Sequence, residues 1–149
     1  MDVLKRIHRW LRAGGLVLDL QPEPEPPTVE VVEVGRSRVL LGHIDTTATD
    51  GNIHRARAAV TSLVEAGYFE RECSVVFDFV SHFRGVDEWL RHRQERRSTS
   101  VVDPAIVDRA RDMLFASPSG QLDVSEHVLA TRLKRRATVP EPIAISTRV

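Results

Sequence analysis

The first part of the chain shows a helical spacing of apolar residues and then a short apolar run. Apolar residues recur at intervals of three and four over positions 4–11, which is typical of an amphipathic helix. Gly14-Gly15 predicts the end of that helix, because glycine adopts the left-handed conformation that other residues resist. From Leu16 to Leu20 the chain is almost continuously apolar, which is typical of a strand covered on both faces. We therefore expect a helix, a turn and a buried strand that ends at Pro22.

Alternating apolar and polar residues then predict a β-hairpin. Residues 28–34 and 38–44 have the period of strands, and Gly35-Arg36-Ser37 between them has the composition of a turn. The segment 22–27 before the hairpin is rich in proline and glutamate, so we expect an extended linker on the surface.

The remaining pattern predicts three helices and two long strands. In chain order they are a helix at 50–66, a strand at 68–83, helices at 86–97 and 103–116, and a strand at 122–133. Asp50 and Asp103 are expected to cap the first and third of these helices. The strand at 68–83 is apolar on both faces, which predicts that other elements cover both of its faces. The side chains expected to be buried in the core are Leu18, Leu63, Phe77, Phe79 and Trp89.

Residues 11–19, Leu-Arg-Ala-Gly-Gly-Leu-Val-Leu-Asp, resemble a segment of class I S-adenosylmethionine-dependent methyltransferases. In that family a helix ending in Leu-Arg-Pro-Gly-Gly leads into the fifth strand of a doubly wound sheet, and Ala13 here takes the place of the proline. The resemblance implies that the strands at 68–83 and 122–133 are the sixth and seventh, the seventh being antiparallel to its neighbours. The hairpin at 28–44 and the helices at 86–116 are then insertions of the kind such domains use over the substrate.

The expected fold is therefore an α/β or α+β domain over residues 1–136, followed by a loose tail at 137–149. Its sheet is expected to be a partial methyltransferase-like sheet, mixed with antiparallel C-terminal strands and with helices packed on it.

The resemblance implies methyl transfer from S-adenosylmethionine to a small molecule, but it identifies no residue that binds the cofactor. In the family the cofactor lies on a glycine-rich loop after the first strand, and an acidic residue ending the second strand binds the ribose. The sequence contains no Gly-x-Gly-x-Gly, and no ribose-binding acid can be assigned. We expect that this chain alone binds no cofactor and is inactive in methyl transfer.

In the family the matching segment lies about two thirds of the way along the catalytic domain, whereas here it comes first. Three explanations stay open: a fragment of a longer gene product, a degenerate stand-alone domain, or an unrelated protein with a coincidental match. Without a fourth strand, the strand from Leu16 to Leu20 has an unpaired edge unless the hairpin, a second copy or another chain covers it. The alternative function is thus a non-catalytic interaction or ligand-binding module that dimerises through this edge.

Composition narrows the possible partners. The chain has 21 basic and 21 acidic side chains, so no net charge attracts nucleic acid or an anionic membrane. We interpret the basic clusters at 91–97 and 134–136 as solvated faces. No apolar run approaches the roughly 20 residues that a membrane helix needs, so we expect a cytoplasmic protein. The six histidines are scattered, which indicates no metal site.

Two pairs of residues are candidates for acid–base chemistry. His43 and Asp45 share a face at the end of a predicted strand, although we favour their interpretation as a turn residue and a cap. Asp78 and His82 share a face of the strand at 68–83, where a carboxylate orients an imidazole or both are structural polar groups. Cys73 is the only cysteine; it excludes an internal disulfide, and we expect it to be a small core residue.

Overall fold

A computed structural model describes residues 2–33 and 38–137, and this part of the chain contains four helices and five strands. In chain order they are α1 (Asp2–Trp10), β1 (Leu16–Pro22), β2 (Thr28–Glu33), β3 (Arg38–His43), α2 (Thr47–Glu65), β4 (Phe69–Phe83), α3 (Val86–Glu95), α4 (Pro104–Ala116) and β5 (Gly120–Arg135). All nine elements were predicted, within a few residues at each end. The turn predicted at 35–37, and the predicted tail from residue 138 onwards, lie outside the described residues.

Local signals explain several of the element ends. Gly14 has a φ of 74°, the left-handed conformation expected where the chain turns from α1 into β1. Asp103 caps α4 as predicted, because its Oδ1 accepts a hydrogen bond from the Ala105 backbone nitrogen at 2.9 Å. The predicted cap Asp50 is wrong: α2 begins at Thr47, and Asp50 lies inside its first turn.

The long strand β5 is the centre of the sheet. On one side it pairs with β4 along almost its whole length, from Phe69 opposite Arg135 to Phe83 opposite Leu122. On its other side, β2 pairs with the first half of β5 and β1 pairs with the second half. Strand β3 extends the sheet beyond β2. Every pair is antiparallel, so β1 and β4 run in the same direction on either side of β5.

Two small cores lie on opposite faces and at opposite ends of this sheet. On the first face α3 and α4 cover the end that contains the hairpin, and β5 contributes Leu122 to their core. On the second face α1 and α2 cover the other end, and β5 contributes Leu133. Because alternate residues of a strand point to opposite faces, positions 122 and 133 belong to different sides. Each face is therefore covered at one end only by the helices that the structure describes.

The uncovered end of the first face is apolar. We call it the apolar face; its exposed side chains are Leu16, Leu18, Leu20, Val75, Phe77 and Phe79. The register places Leu20 opposite Ala130 and Phe77 opposite Val128, so all three strands contribute to one surface.

These exposures contradict several predictions. The strand from Leu16 to Leu20 is not covered on both faces, since Leu18 is 64% exposed. Phe77 is 39% exposed and Phe79 is 49% exposed, and Cys73 is also exposed. The reason is the placement of the helices, because α1 and α2 both lie on the second face near these strands. The predicted burial of Trp89 and Leu63 is confirmed at 1% exposure each.

The uncovered end of the second face is polar. We call it the polar face; its side chains include Glu30, Arg38, Asp78, His82, Gln121, Asp123 and His127. Here hydrogen bonds and ion pairs between neighbouring strands replace hydrophobic packing.

Candidate functional site

A cleft with a volume of about 390 Å³ opens on the first face of the sheet. Its walls are α3, the loop that follows α3, the start of α2 and the linker at 22–27. Pro22 and Phe83, the last residues of β1 and β4, both line it. The volume of the cleft lies within the range of pockets that bind small molecules.

The floor of the cleft is apolar and rigidly packed. Trp89 and Phe83 line it from α3 and β4, and both belong to the core beneath α3 and α4. The ring centroid of His92 lies 5.5 Å from that of Phe83 and extends the aromatic wall. An apolar floor with a few polar groups around it is typical of pockets that bind small molecules.

Glu126 introduces a carboxyl group into this apolar setting. It lies on β5 two residues after Val124, on the same face, and both side chains line the cleft. Its side chain is half-buried, and burial raises the pKa of the Glu126 carboxyl above its usual value. A carboxyl with a shifted pKa inside a cleft is a candidate functional group.

The loop after α3 is fixed by Arg93. The Arg93 guanidinium donates to the Ser100 hydroxyl at 3.1 Å and to the Ser100 carbonyl at 2.5 Å. It also lies 5.9 Å from the centroid of the Trp89 ring. Burial lowers the pKa of the Arg93 guanidinium below its usual value. Arg93 therefore links α3 to the loop that follows it and stabilises one wall of the cleft.

The linker at 22–27 is held in place by contacts with β5 and α2. The Glu23 backbone nitrogen donates to the His127 carbonyl at 2.7 Å. Arg57 of α2 forms an ion pair with Glu23 at 2.9 Å and donates to the Pro22 carbonyl at 2.9 Å. Glu25 lies 3.2 Å from the Nε2 of His127. These contacts hold the linker against β5 and so fix a second wall of the cleft.

The predicted pair His43 and Asp45 lies at the turn into α2. Asp45 Oδ1 accepts hydrogen bonds from the Thr47 backbone nitrogen at 2.9 Å and from the Thr47 hydroxyl at 2.5 Å. These bonds lower the pKa of Asp45 below its usual value. His43 is exposed at the end of β3. Neither residue lines the cleft.

The predicted pair Asp78 and His82 shares a face, but the two side chains bind different partners on β5. Asp78 Oδ1 lies 2.6 Å from His127 Nδ1, while His82 Nδ1 lies 2.6 Å from Asp123 Oδ1. The structure therefore gives His82 a carboxylate partner, and it is a residue of the neighbouring strand.

Asp123 is the polar residue that the sequence pattern missed. Its side chain is completely buried, and its Oδ1 also accepts from the Gln121 amide at 3.0 Å. Arg38 lies 3.6 Å from Oδ2 and supplies a positive charge. A buried carboxylate that binds Nδ1 orients the imidazole and leaves Nε2 to exchange protons. Among the described residues, no serine, threonine or cysteine forms a hydrogen bond with His82.

The part of the chain that the structure describes has no group of three or more side chains suited to a metal ion. Within that part, none of the helices combines the length and the apolar character that crossing a membrane requires. Comparisons with known protein families, with curated proteins and with solved structures found no match. The geometry of the cleft and of the sheet is therefore the basis for assigning a function.

Proposed function

We propose that this chain is the substrate-side, C-terminal part of a methyltransferase-like unit, which holds a small molecule in the cleft and is inactive in methyl transfer by itself. The observation that carries the proposal is the position of the cleft at the carboxyl ends of β1 and β4. The resemblance of residues 11–19 to the methyltransferase segment gives the proposal its reaction class.

The order of the strands supports this proposal. The resemblance implies a last strand antiparallel to its neighbours, and β5 pairs antiparallel with both β1 and β4. It also implies insertions over the substrate, and the cleft is lined by α3 and by Ile44 at the end of the hairpin. Elements outside the resemblance therefore form part of the cleft wall.

The free edge of β1 supports the second half of the proposal. Among the described residues, β1 pairs only with β5, so its outer edge has no strand partner. The resemblance implies a fourth strand at that edge, belonging to the part that binds the cofactor. The chain is thus expected to meet its cofactor-binding partner along β1, and to bind no S-adenosylmethionine alone.

Two measurements test the proposal. Calorimetric titration of the chain with S-adenosylmethionine is expected to give no binding; micromolar binding at one site per chain would contradict it. A fragment screen by amide chemical shifts is expected to give shifts around Trp89 and Glu126. Thr49→Phe places a ring at a cleft-lining position of α2 and is expected to abolish these shifts, whereas Thr61→Phe on the same helix is not. Fragments that never perturb the cleft would sink the proposal.

The alternative is a non-catalytic module that dimerises through the β1 edge. The observation that favours it is the apolar face, which lies directly beside that edge and is covered by no described helix. The two functions differ in their partner, which is another protein in the first and a second copy in the alternative.

A further inference from the structure

The cleft contains one carboxylate that the described residues leave without a partner. Three glutamates line the cleft. Glu23 is paired with Arg57 at 2.9 Å, and Glu25 lies 3.2 Å from a nitrogen of His127. Glu126 makes neither a hydrogen bond nor an ion pair with any residue in the described part of the chain, although it is half-buried. Burial of a charge without a partner is costly, so this carboxylate is suited to receive one.

The basic residues of the cleft do not serve that purpose. The Arg93 guanidinium is committed to Ser100, with a donor at 3.1 Å from the hydroxyl and another at 2.5 Å from the carbonyl. Arg96 and Arg97 follow α3 and are exposed to solvent, where water satisfies their charge. Glu126 therefore differs from every other charged group in the cleft, because it is both partly desolvated and uncompensated.

We propose that the cleft binds a small organic cation, namely an ammonium group on an apolar body, with Glu126 as its counter-ion and Phe83 and Trp89 as its apolar floor. This inference rests on the proposed function, because it names the ligand class of the same cleft. The volume of about 390 Å³ lies within the range of small-molecule pockets. An ammonium–carboxylate hydrogen bond in such a site is stronger than a neutral one, which makes charge the basis of selectivity.

Fluorescence of Trp89 provides a direct readout. The chain has two tryptophans, and Trp10 is 73% exposed on α1, so Trp10→Phe leaves Trp89 as the sole reporter. Three probes of similar shape separate charge from size: 2-phenylethylamine as the cation, 2-phenylethanol as the neutral analogue and 3-phenylpropionate as the anion. The amine is expected to bind at least about tenfold more tightly than the alcohol, as one charge-assisted hydrogen bond provides. The anion is expected to bind most weakly.

Glu126→Gln in the Trp10→Phe background is the decisive variant. It keeps the shape of the side chain and removes its charge, so it should weaken amine binding about tenfold and leave alcohol binding unchanged. Glu70→Gln, at an exposed position of β4, is the matched control and should change neither. A melting temperature at least as high as that of the parent shows that Glu126→Gln is folded.

The outcomes separate this inference from the proposed function. Equal binding of amine and alcohol, or a preference for the amine that survives Glu126→Gln, overturns the cation proposal and leaves the cleft as a binding site. A Trp89 signal that none of the three probes changes at millimolar concentration overturns both.

Discussion

The two uncovered parts of the sheet differ in what they present to water. On the polar face, the carboxylates of Asp78 and Asp123 each bind a histidine of the neighbouring strand at 2.6 Å. On the apolar face, three leucines of β1 and the valine and phenylalanine side chains of β4 are exposed on either side of β5. Both faces use the same strands β4 and β5, so the difference comes from alternate positions of one pattern. The polar face has the side chains of a surface that stays in water, whereas the apolar face has those of a contact surface.

The apolar face also borders the cleft. Phe79, at the margin of the apolar face, lies opposite Glu126 in the β4–β5 register. A partner seated on the apolar face would therefore reach the mouth of the cleft. Ligand binding and association are expected to influence each other for this reason.

The largest expected effect separates covered from uncovered positions on one strand. Phe69 and Phe77 both belong to β4, but Phe69 is 1% exposed and Phe77 is 39% exposed. Phe69→Ala should lower the free energy of unfolding by about 4 kcal/mol, the usual cost for a buried phenylalanine. Phe77→Ala should lower it by about 1–2 kcal/mol, because less apolar surface is lost from the interior. Chemical denaturation measures both, and equal losses would mean that the apolar face is covered.

The next effect lies within the polar face. Asp123→Ala should lower the free energy of unfolding by about 2 kcal/mol, because a buried charged acceptor loses its hydrogen bonds to His82 and Gln121. Asp78→Ala is the control, since its carboxylate also binds a histidine but is largely exposed. We expect a loss of less than about 1 kcal/mol there. If the two variants shift the urea midpoint by the same amount, the burial of Asp123 contributes nothing to stability.

A smaller effect concerns pH and the covered end of the second face. His8 is buried against the rings of Tyr68 and Phe69, and burial, with Arg135 nearby, lowers the pKa of His8 below its usual value of 6.5. Between the lowered pKa and pH 6.5 the unfolded chain therefore binds a proton that the folded chain does not. The free energy of unfolding should fall as the pH falls through 6.5 towards the lowered pKa, and it should be retained above 6.5.

The matched variants for this prediction are His8→Phe and His54→Phe. His54 is exposed on α2, so its replacement should leave the slope of stability against pH unchanged. His8→Phe should flatten that slope below pH 6.5. A slope that both variants preserve would assign the pH dependence to other groups.

The smallest effect on stability is expected on the apolar face, where the readout is association. We predict a dimer at micromolar concentration, and Leu18→Asp should make it monomeric in sedimentation with a change in stability of less than about 1 kcal/mol. Leu40→Asp is the control, because Leu40 is 49% exposed but lies on β3, away from the apolar face. A wild-type chain that sediments as a monomer would contradict the predicted dimer.

Replacement by proline distinguishes the edge of β1 from its apolar face. The Glu23 nitrogen bonds to the His127 carbonyl, and the same register makes the odd residues of β1 the ones hydrogen-bonded to β5. The backbone N–H of Leu18 therefore points to the free edge. Leu18→Pro removes that donor and keeps an apolar side chain, so dissociation by proline as well as by aspartate would indicate edge pairing.

Local chemistry in the sequence was sufficient to predict the elements. Gly14 and the Asp103-Pro104 cap mark element ends through interactions of neighbouring residues, and such signals do not depend on the rest of the fold. Burial was harder to predict, because the apolar pattern of β1 is the same whether a helix covers one face or both. The partner of His82 was missed for a similar reason: Asp123 is distant in sequence and meets it only through strand pairing.

The cleft was also beyond prediction from the sequence. The residues that line it come from five separate segments. Glu126 is an ordinary polar position of an alternating strand, and only the placement of α3 and of the linker at 22–27 puts it in a cleft. The pKa shift that makes Glu126 a candidate arises from that burial alone. Sequence reasoning placed Glu126 correctly on a strand and had no means of finding its surroundings.

The central position of β5 has a consequence for how the chain folds as it is synthesised. Strand β5 is the last described strand to be made, yet within the described part of the chain β1 and β4 pair with no other strand, and only β2 and β3 form a local hairpin. Most of the sheet therefore cannot form until about residue 135 has been synthesised, and the pairing of β1 with β5 then joins positions more than a hundred residues apart, such as Leu16 and Lys134. Contacts of such long sequence separation make folding slow. In the meantime the leucines of β1 remain exposed on a nascent chain, and we expect this segment to be prone to aggregation until synthesis of β5 is complete.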